Sequence, residues 1–335
     1  MKIVFMCPHT NVSGGPKVIL TVAKGLRRMG IDSSVAVYRF SDKSMHWLSG
    51  GTDTLPIVET KNPAHPLLTG ASCIINFADG ITFPELLDKK QVLFLQGFGT
   101  QNLAVETANI RFKYNAVIAT SAWLVDTAQV YGHKDVTLIH PGIDAVFALQ
   151  KREPIHTSTS VIIGGLAHPS PEKNFKRYIA AVCSLKRNYN INVLAHILSV
   201  QPLPQIKEFN DLAIPYTVFV SPMPREIATM YAQCSVWIST SISEGWGLTT
   251  LESLACGTPV VFIPNRGLNN YMIHEQNCLV VKDATDSVAQ GVTQLLHDTS
   301  LRSKVVEGGL TLTKRFTWGH TLSLFAQVLA RITGK

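Results

Sequence analysis

The segment Ser239–Val261, STSISEGWGLTTLESLACGTPVV, has the pattern of a strand end, a glycine-flanked turn, a helix and a second strand. The apolar run Ser235–Ser239 predicts the first strand, Thr249–Cys256 predicts the helix, and Pro259–Ile263 predicts the next strand. Gly257 provides the stop at the end of the helix. Strands and helices that alternate in this way are typical of a parallel sheet built from βαβ units.

The same alternation extends in both directions along the chain. Strands are predicted at Ile3–Cys7, Ser33–Tyr38, Cys73–Asn76, Val92–Leu95, Ala116–Thr120, Val136–His140, Ser160–Ile163, Ile191–Leu198 and Tyr216–Val220. Helices are predicted from Pro16 to a left-handed Gly30, at Phe175–Leu185 and Pro224–Ala232, and at the end of the chain along the apolar stripe Trp318, Leu322, Phe325, Leu329 and Ile332. The pattern predicts an α/β protein with two Rossmann-like, doubly wound domains that face each other across a cleft, where such sheets bind ligands.

The length of 335 residues favours two domains, and a polar break indicates where they meet. Pro141-Gly142 interrupts the alternation, and the residues up to Ser160 are rich in Thr and Ser. We therefore predict an N-terminal domain at 1–150, a second domain at 151–312, and a helix at 313–335 that packs back toward the first domain. The irregular segment 41–70 is expected to be functional or mobile.

Composition excludes several classes of protein. Hydrophobic residues make up 46% of the chain and charged residues 16%, which excludes a disordered chain. No apolar run approaches the roughly 20 residues of a membrane span, and the N-terminal run is too short for a signal peptide. The six scattered cysteines predict reduced core residues and a cytoplasmic protein. A net charge of +7 suits an anionic ligand or surface, whether a nucleotide, a phospholipid head group or a nucleic acid.

The turn and the helix start in the opening segment carry the main candidate residues. Glu244 lies between strand and helix, where it caps nothing obvious and is able to accept hydrogen bonds from sugar hydroxyls. Gly245 and Gly247 allow the main chain to approach a ligand, and a helix N-terminus favours an anion. Glu252 has two interpretations: a ligand-binding carboxylate, or the partner of Thr249 in a capping box.

The segment Glu244-Gly245-Trp246-Gly247-Leu248-Thr249-Thr250-Leu251-Glu252 resembles the E-x7-E segment of the retaining, nucleotide-sugar-dependent glycosyltransferases of family four, which have the GT-B fold. Further matches occur in the same order along the chain, at Ser13-Gly14-Gly15, Ser121–Leu124, His140–Asp144 with Phe147, Gly164 and Leu166 with Lys173, and Phe316–Trp318. The resemblance implies transfer of a hexosyl or deoxyhexosyl group to a glycan, lipid-linked or small-molecule acceptor, for example in cell-surface polysaccharide biosynthesis.

The resemblance also implies roles for individual residues. Glu244 and the amides of Gly245, Trp246 and Gly247 would hold the donor sugar, while Glu252 would hold the ribose. The amides near Leu248 and Thr249 would face the diphosphate, which Lys173 would neutralise. Gly14 and Gly15 would approach the phosphates from the other domain, and Met223 would lie where the family holds the base.

Three positions depart from the family pattern. The family's phosphate-binding arginine would fall at Gly165, and His168, Arg177 and Arg266 are the candidates to replace it. The glycine that usually follows the lysine is Asn174. A carboxylate often found after Pro264 is absent, since the sequence there is Leu268-Asn269-Asn270.

The chemistry expected of this site is stabilisation of a leaving diphosphate while the anomeric carbon becomes oxocarbenium-like. Backbone amides, a helix N-terminus and Lys173 are able to do this without a metal, and the sequence contains no Asp-x-Asp cluster, so no cofactor and no metal are expected. We favour attack from the front face within an ion pair, with Glu244 as a hydroxyl anchor, over a double displacement with Glu244 as nucleophile.

Residues outside this segment have weaker assignments. His9 ends the first strand and either faces the expected cleft or is a solvated loop residue. Gln96 ends the Val92–Leu95 strand at a position that faces the cleft in this fold, where it would contact the acceptor or the donor. The Trp246 ring either packs under its turn or stacks on a sugar. Lys24, Arg27 and Arg28 form a basic helix face that is either solvated or docked on the inner face of a membrane.

Two other functional classes remain open. The missing arginine is compatible with a non-catalytic protein that binds nucleotide sugars. The positive net charge is compatible with a DNA-modifying relative of the same fold, but the sequence has no basic run with interleaved aromatic residues to support nucleic-acid binding. A dehydrogenase is disfavoured because no G-x-G-x-x-G follows a strand. The sequence leaves the sugar, nucleotide, acceptor, linkage and oligomeric state open.

Overall fold

The computed structural model of the protein describes residues 1–41, 45, 47–48, 51, 55–78, 80, 83–99, 103–150 and 160–334. The chain divides into two units. Met1–Gly142 and Phe316–Lys335 form the N-terminal unit, and Ile143–Arg315 forms the C-terminal unit. This division follows Gly142, whereas the sequence analysis placed the boundary after residue 150. Most of the Thr/Ser-rich stretch that suggested that boundary, residues 151–159, lies outside the described residues.

The N-terminal unit contains a parallel sheet in the order β3-β2-β1-β4-β5-β6-β7. Its strands are β1 (Lys2–Cys7), β2 (Asp32–Val37), β3 (Ile57–Glu59), β4 (Cys73–Phe77), β5 (Lys90–Leu95), β6 (Ala116–Ala119) and β7 (Val136–Leu138). Its helices are α1 (Gly14–Arg28), α2 (Pro66–Thr69), α3 (Leu103–Ile110) and α4 (Ala122–Val130). The central strands are buried on both faces, which explains their nearly continuous apolar sequences.

The last helix of the chain, α12 (Trp318–Thr333), packs on the N-terminal unit. The Phe325 ring lies 6.5 Å from the ring of Phe5 and 5.0 Å from that of Phe94. Leu322 lies directly over Gly25 of α1, where a β-carbon would come within 2.4 Å of it. The buried face of the helix consists of Thr321, Phe325, Val328 and Leu329. It shares Phe325 and Leu329 with the predicted apolar stripe, whereas Trp318 is only half-buried.

The C-terminal unit contains a second parallel sheet in the order β10-β9-β8-β11-β12-β13. Its strands are β8 (Val161–Ala167), β9 (Val193–Ser199), β10 (Tyr216–Val220), β11 (Val236–Ser239), β12 (Val260–Phe262) and β13 (Leu279–Val280). Its helices are α5 (Ala145–Ala148), α6 (Phe175–Asn188), α7 (Lys207–Asp211), α8 (Pro224–Gln233), α9 (Leu248–Ala255), α10 (Thr285–His297) and α11 (Thr299–Thr313). Because the strand order reverses between β8 and β11, the carboxyl ends of these two strands form the switch point where such sheets bind ligands.

Both sheets confirm the predicted α/β class with two Rossmann-like domains. The six cysteines are all free and buried, as expected for reduced core residues. The sequence analysis did not predict β3 and α2 inside segment 41–70, nor α10 and α11 in the C-terminal unit. Within the described part of the chain, no helix combines the length and the apolar character that crossing a membrane requires.

Candidate functional site

Two loops of the C-terminal unit meet at the switch point of its sheet. One follows β8 and contains a short 3₁₀ helix, Pro171–Lys173, before α6 begins. The other follows β11 and contains Glu244 before α9 begins. The Thr240 hydroxyl donates to the Lys173 carbonyl at 2.9 Å, and the Ile242 N–H donates to the Glu172 carbonyl at 2.8 Å. These hydrogen bonds hold the two loops together, although they are far apart in sequence.

An ion pair joins the side chains of the two loops. Lys173 Nζ lies 2.7 Å from Glu244 Oε1, and the two side chains are 22% and 12% exposed. The pair is therefore partly desolvated but still open to a ligand at one side. The two residues that the sequence analysis named as catalytic are thus brought into direct contact.

Asn174 follows Lys173 in a left-handed conformation, with φ of 53°. This backbone geometry explains why glycine usually occupies the position, and asparagine is among the few other residues that adopt it readily. The Asn174 amide also donates to Asp283 Oδ1 at 3.2 Å, so the departure from the family pattern keeps the shape of the turn.

Helix α9 begins at Leu248, and Gly247 is its N-cap with φ of 89°. The Leu268 side chain lies under Gly247, where a β-carbon would come within 2.6 Å of it. The N–H groups of the first turn, from Leu248 to Thr250, have no acceptor within the helix. They form the positive end of the helix dipole. The structure therefore places free amides where the sequence analysis expected the diphosphate.

The predicted capping box is wrong. Thr249 is the second residue of α9 and not its N-cap, so Glu252 lies in the second turn and cannot close a box with it. Glu252 is 5% exposed, and its charge is near enough to Tyr231 and Cys256 to contribute to the raised pKa of both groups, for which burial is the larger cause.

The Trp246 ring is packed under the turn. It is 4% exposed and meets the Tyr271 ring edge-on, with centroids 5.3 Å apart. The side chain is therefore not open to stack on a sugar.

The loop after β12 packs against the turn that contains Glu244. The Asn265 amide donates to the Ser241 carbonyl at 3.1 Å, and its Oδ1 accepts from the Gly267 N–H at 3.1 Å. A β-carbon at Gly267 would lie 2.7 Å from the Glu244 carbonyl oxygen. The close approach of the Gly267 backbone thus fixes the position of the Glu244 backbone. The sequence did not predict this contact.

Packing explains why Gly165 has no side chain. A β-carbon at Gly165 would lie 2.3 Å from the ring of Tyr178, which is fully buried and donates to the Ile163 carbonyl at 2.8 Å. At the preceding Gly164, a β-carbon would lie 2.5 Å from the Trp237 ring. The Tyr178 ring thus fills the space of the missing arginine at Gly165, while Trp237 fills the space at Gly164 on the other face of the strand.

The three candidates to replace that arginine lie in different surroundings. Arg177 Nε is paired with Asp283 at 2.7 Å, and its Nη1 donates to Thr285 at 2.7 Å, so it is committed elsewhere. Arg266 is exposed on the loop beside the Glu244 turn. His168 directly follows β8 and lies near enough to Lys173 and Glu244 for their charges to act on its pKa.

The N-terminal unit has its own cavity, of about 190 Å³, at the carboxyl ends of its strands. His9, Gln96 and Gly15 line it, as does Glu106, which the sequence analysis missed because α3 gives no motif around it. Glu106 is 2% exposed and accepts from the Gly99 N–H. Burial and, secondarily, the charge of Arg39 lower the pKa of His9.

The glycines of the first loop open helix α1, which begins at Gly14 after the N-cap Ser13. Open space surrounds the position of a β-carbon at Gly15. Met223 is half exposed and is the N-cap of α8, where its N–H donates to Glu226 Oε2 at 2.7 Å.

Lys24 does not belong to the exposed part of the predicted basic face on α1. Lys24 is 5% exposed, and its Nζ donates to the Gly51 carbonyl at 2.5 Å. Arg27 Nη1 pairs with Asp32 Oδ1 at 3.1 Å. Arg27 is half-buried and Arg28 is exposed, so only part of the predicted basic face lies at the surface, and membrane docking stays a prediction.

The described residues contain no group of three or more His, Cys, Asp or Glu side chains arranged to hold a metal ion. The expectation of metal-independent chemistry stays a prediction.

Comparison with known proteins gives a family match for the C-terminal half. Residues 148–310 match the family model described as glycosyl transferases group 1. The D-inositol 3-phosphate glycosyltransferase of Jonesia denitrificans is 32% identical over 115 residues, which are 34% of this chain and 27% of that protein. Its counterpart in Corynebacterium efficiens is 24% identical over 214 residues, 59% of this chain and 49% of that protein. The matched segments thus span about a quarter to a half of these relatives.

Solved structures match the fold of nearly the whole chain. Sucrose-phosphate synthase from Thermosynechococcus elongatus has a TM-score of 0.80 at 14% identity and full coverage of both chains. HepE of Anabaena, in complex with UDP-glucose, has a TM-score of 0.77 at 18% identity, over 99% of this chain and all of that one. The fold is therefore that of GT-B glycosyltransferases, and residues 148–310 are similar to the glycosyl transferases group 1 family.

Proposed function

We propose that this protein is a retaining glycosyltransferase that transfers a hexosyl or deoxyhexosyl group from a nucleoside-diphosphate sugar. The Lys173–Glu244 ion pair beside the free amides of α9 is the observation that carries the proposal. In this pair, the Lys173 ammonium is suited to bind a diphosphate, and the Glu244 carboxylate is suited to accept hydrogen bonds from sugar hydroxyls. The glycosyl transferases group 1 match covers both residues.

Different residues of the C-terminal unit bind different parts of the donor. Lys173 and the N-terminus of α9 neutralise the diphosphate, since both present positive charge at the switch point. Glu244 accepts hydrogen bonds from the sugar hydroxyls, and Glu252 is assigned to the ribose. The acceptor, a glycan, a lipid-linked sugar or a small molecule, is assigned to the N-terminal unit, whose cavity presents His9 and Gln96.

In the transfer step, the bond between the anomeric carbon and the diphosphate oxygen breaks while the acceptor oxygen bonds to the same face. The leaving phosphate takes the acceptor's proton, so the step needs no metal and no further base. Glu244 is unsuited to act as a nucleophile because its carboxylate is already held by Lys173. Stabilisation of the leaving group is the main contribution of the protein.

A donor screen tests this proposal. Purified protein is incubated with UDP-, GDP- and dTDP-sugars in EDTA, and released nucleotide is measured alongside thermal stability. We expect slow release from one donor and a product with the donor's anomeric configuration. Stabilisation without release indicates a non-catalytic nucleotide-sugar-binding protein, and inversion of configuration contradicts retention.

Replacing Lys173 with methionine is expected to weaken binding of the selected nucleoside-diphosphate sugar by roughly tenfold to a hundredfold, because a charge-assisted contact to the diphosphate is lost. Calorimetric titration measures the change. Lys176→Met is the matched control, since Lys176 is an exposed lysine one turn further along the chain. Equal affinities in the two variants would remove Lys173 from the donor site.

A further inference from the structure

We infer that His168 takes the place of the missing arginine and donates a hydrogen bond from its Nε2–H to the donor's diphosphate. The inference rests on the proposed function, which it deepens by assigning a second diphosphate-binding residue. It starts from two facts of geometry: Tyr178 fills the space at Gly165, and His168 directly follows the same strand.

The local backbone fixes the orientation of the imidazole. Its Nδ1 accepts from the N–H of Ser170 at 3.1 Å, so the neutral ring carries its proton on Nε2. Nε2 is therefore the donor available to a ligand. The ring is half-buried, which limits its motion while leaving part of it open.

The charges around the ring are those of the proposed site. Lys173 acts on it from the same loop and Glu244 from the loop after β11, while Glu172 acts from the short 3₁₀ helix. Burial, followed by the ammonium of Lys173, lowers the pKa of His168, and the two carboxylates act in the opposite direction. The free imidazole is therefore mainly neutral at pH 7.

A bound diphosphate reverses this balance. Its negative charge raises the pKa of His168, so the bound form takes up a proton more readily than the free form. The added proton goes to Nδ1 and replaces the hydrogen bond that Nδ1 accepts from the Ser170 N–H in the free protein. By linkage, affinity increases as the pH falls through the pKa of the bound state. His168 thus supplies a charge only when the ligand is present, whereas an arginine would be charged throughout.

Titrations with inorganic pyrophosphate and UDP at pH 6 to 8.5 test the inference in the full chain. His168→Asn retains an acceptor for the N–H two residues on but lacks the Nε2 donor. We expect it to bind both ligands roughly tenfold more weakly at pH 6 than wild type, with a smaller difference at pH 8.5. His168→Arg is expected to restore affinity at all pH values. The ligands themselves titrate, so only ratios between proteins are compared.

His65→Asn is the matched control because His65 Nδ1 also accepts from an N–H two residues on, at 3.1 Å, but lies in the N-terminal unit. It is expected to bind like wild type. In NMR titrations, the His168 imidazole signal is assigned by its loss in His168→Asn, and its pKa is expected to rise when pyrophosphate binds.

An unchanged pKa of His168 in the presence of bound pyrophosphate, or equal affinities of wild type and His168→Asn, would overturn the inference. The proposed function would then still stand if a donor is hydrolysed in the screen and Lys173→Met weakens its binding. Failure of wild type to bind pyrophosphate or UDP overturns the inference as well, while absence of donor release in the screen counts against the proposed function separately.

Discussion

Replacing Glu244 with glutamine is expected to reduce kcat/KM for sugar transfer by roughly a hundredfold to a thousandfold. Glutamine keeps the size of the side chain and can still accept from Lys173, but it removes the negative charge that holds Lys173 and the sugar hydroxyls. The folded state should change little, because the turn is also held by backbone contacts with Gly267 and Ile242. Steady-state transfer kinetics and thermal unfolding measure the two effects.

The matched control for this variant is Glu307→Gln, which changes an exposed glutamate on α11. It should retain wild-type kinetics. Normal transfer by Glu244→Gln would remove Glu244 from the site. A fall in the melting temperature by more than about 5 °C would instead mean that the ion pair is chiefly structural.

Restoring the family's arginine at Gly165 is expected to unfold the C-terminal unit instead of improving donor binding. Even a methyl group there would approach the buried Tyr178 ring to 2.3 Å, and this ring stacks on Phe175, 5.7 Å away between centroids. Gly165→Ala is therefore expected to lower the free energy of unfolding by roughly 1–3 kcal/mol, and Gly165→Arg by more. Urea unfolding followed by tryptophan fluorescence measures both.

Gly319→Ala is the matched control for the added methyl group. Gly319 is exposed in α12 and has open space around the position of a β-carbon. The substitution is expected to stabilise the protein by about 0.5–1 kcal/mol through helix propensity. If Gly165→Ala is as stable as wild type, Tyr178 does not explain the missing arginine.

The central strands were predictable because they are buried on both faces and form continuous apolar runs. Tyr216–Val220, an edge strand that is only partly buried, was predicted to the residue from its alternating β-branched and aromatic residues. Helices α10 and α11 were missed although α10 buries Val288, Val292 and Leu295 at helical spacing. The domain boundary after residue 150 stays a prediction, and the contacts divide the chain after Gly142.

The site was predictable in its parts but not in its assembly. The motif identifies Glu244 and Lys173, yet nothing in a sequence shows that residues 71 positions apart form an ion pair. The capping box failed because the helix begins one residue earlier than predicted, at Leu248. Lys24 departs from the predicted basic face because its ammonium group donates to a backbone carbonyl.

A crystal structure of the protein with the donor selected by the screen tests the central claim most directly. We predict that diphosphate oxygens lie within about 3 Å of Lys173 Nζ and of an amide at the start of α9, and that sugar hydroxyls contact Glu244. A donor bound with its diphosphate away from Lys173 and its sugar away from Glu244 would contradict the account.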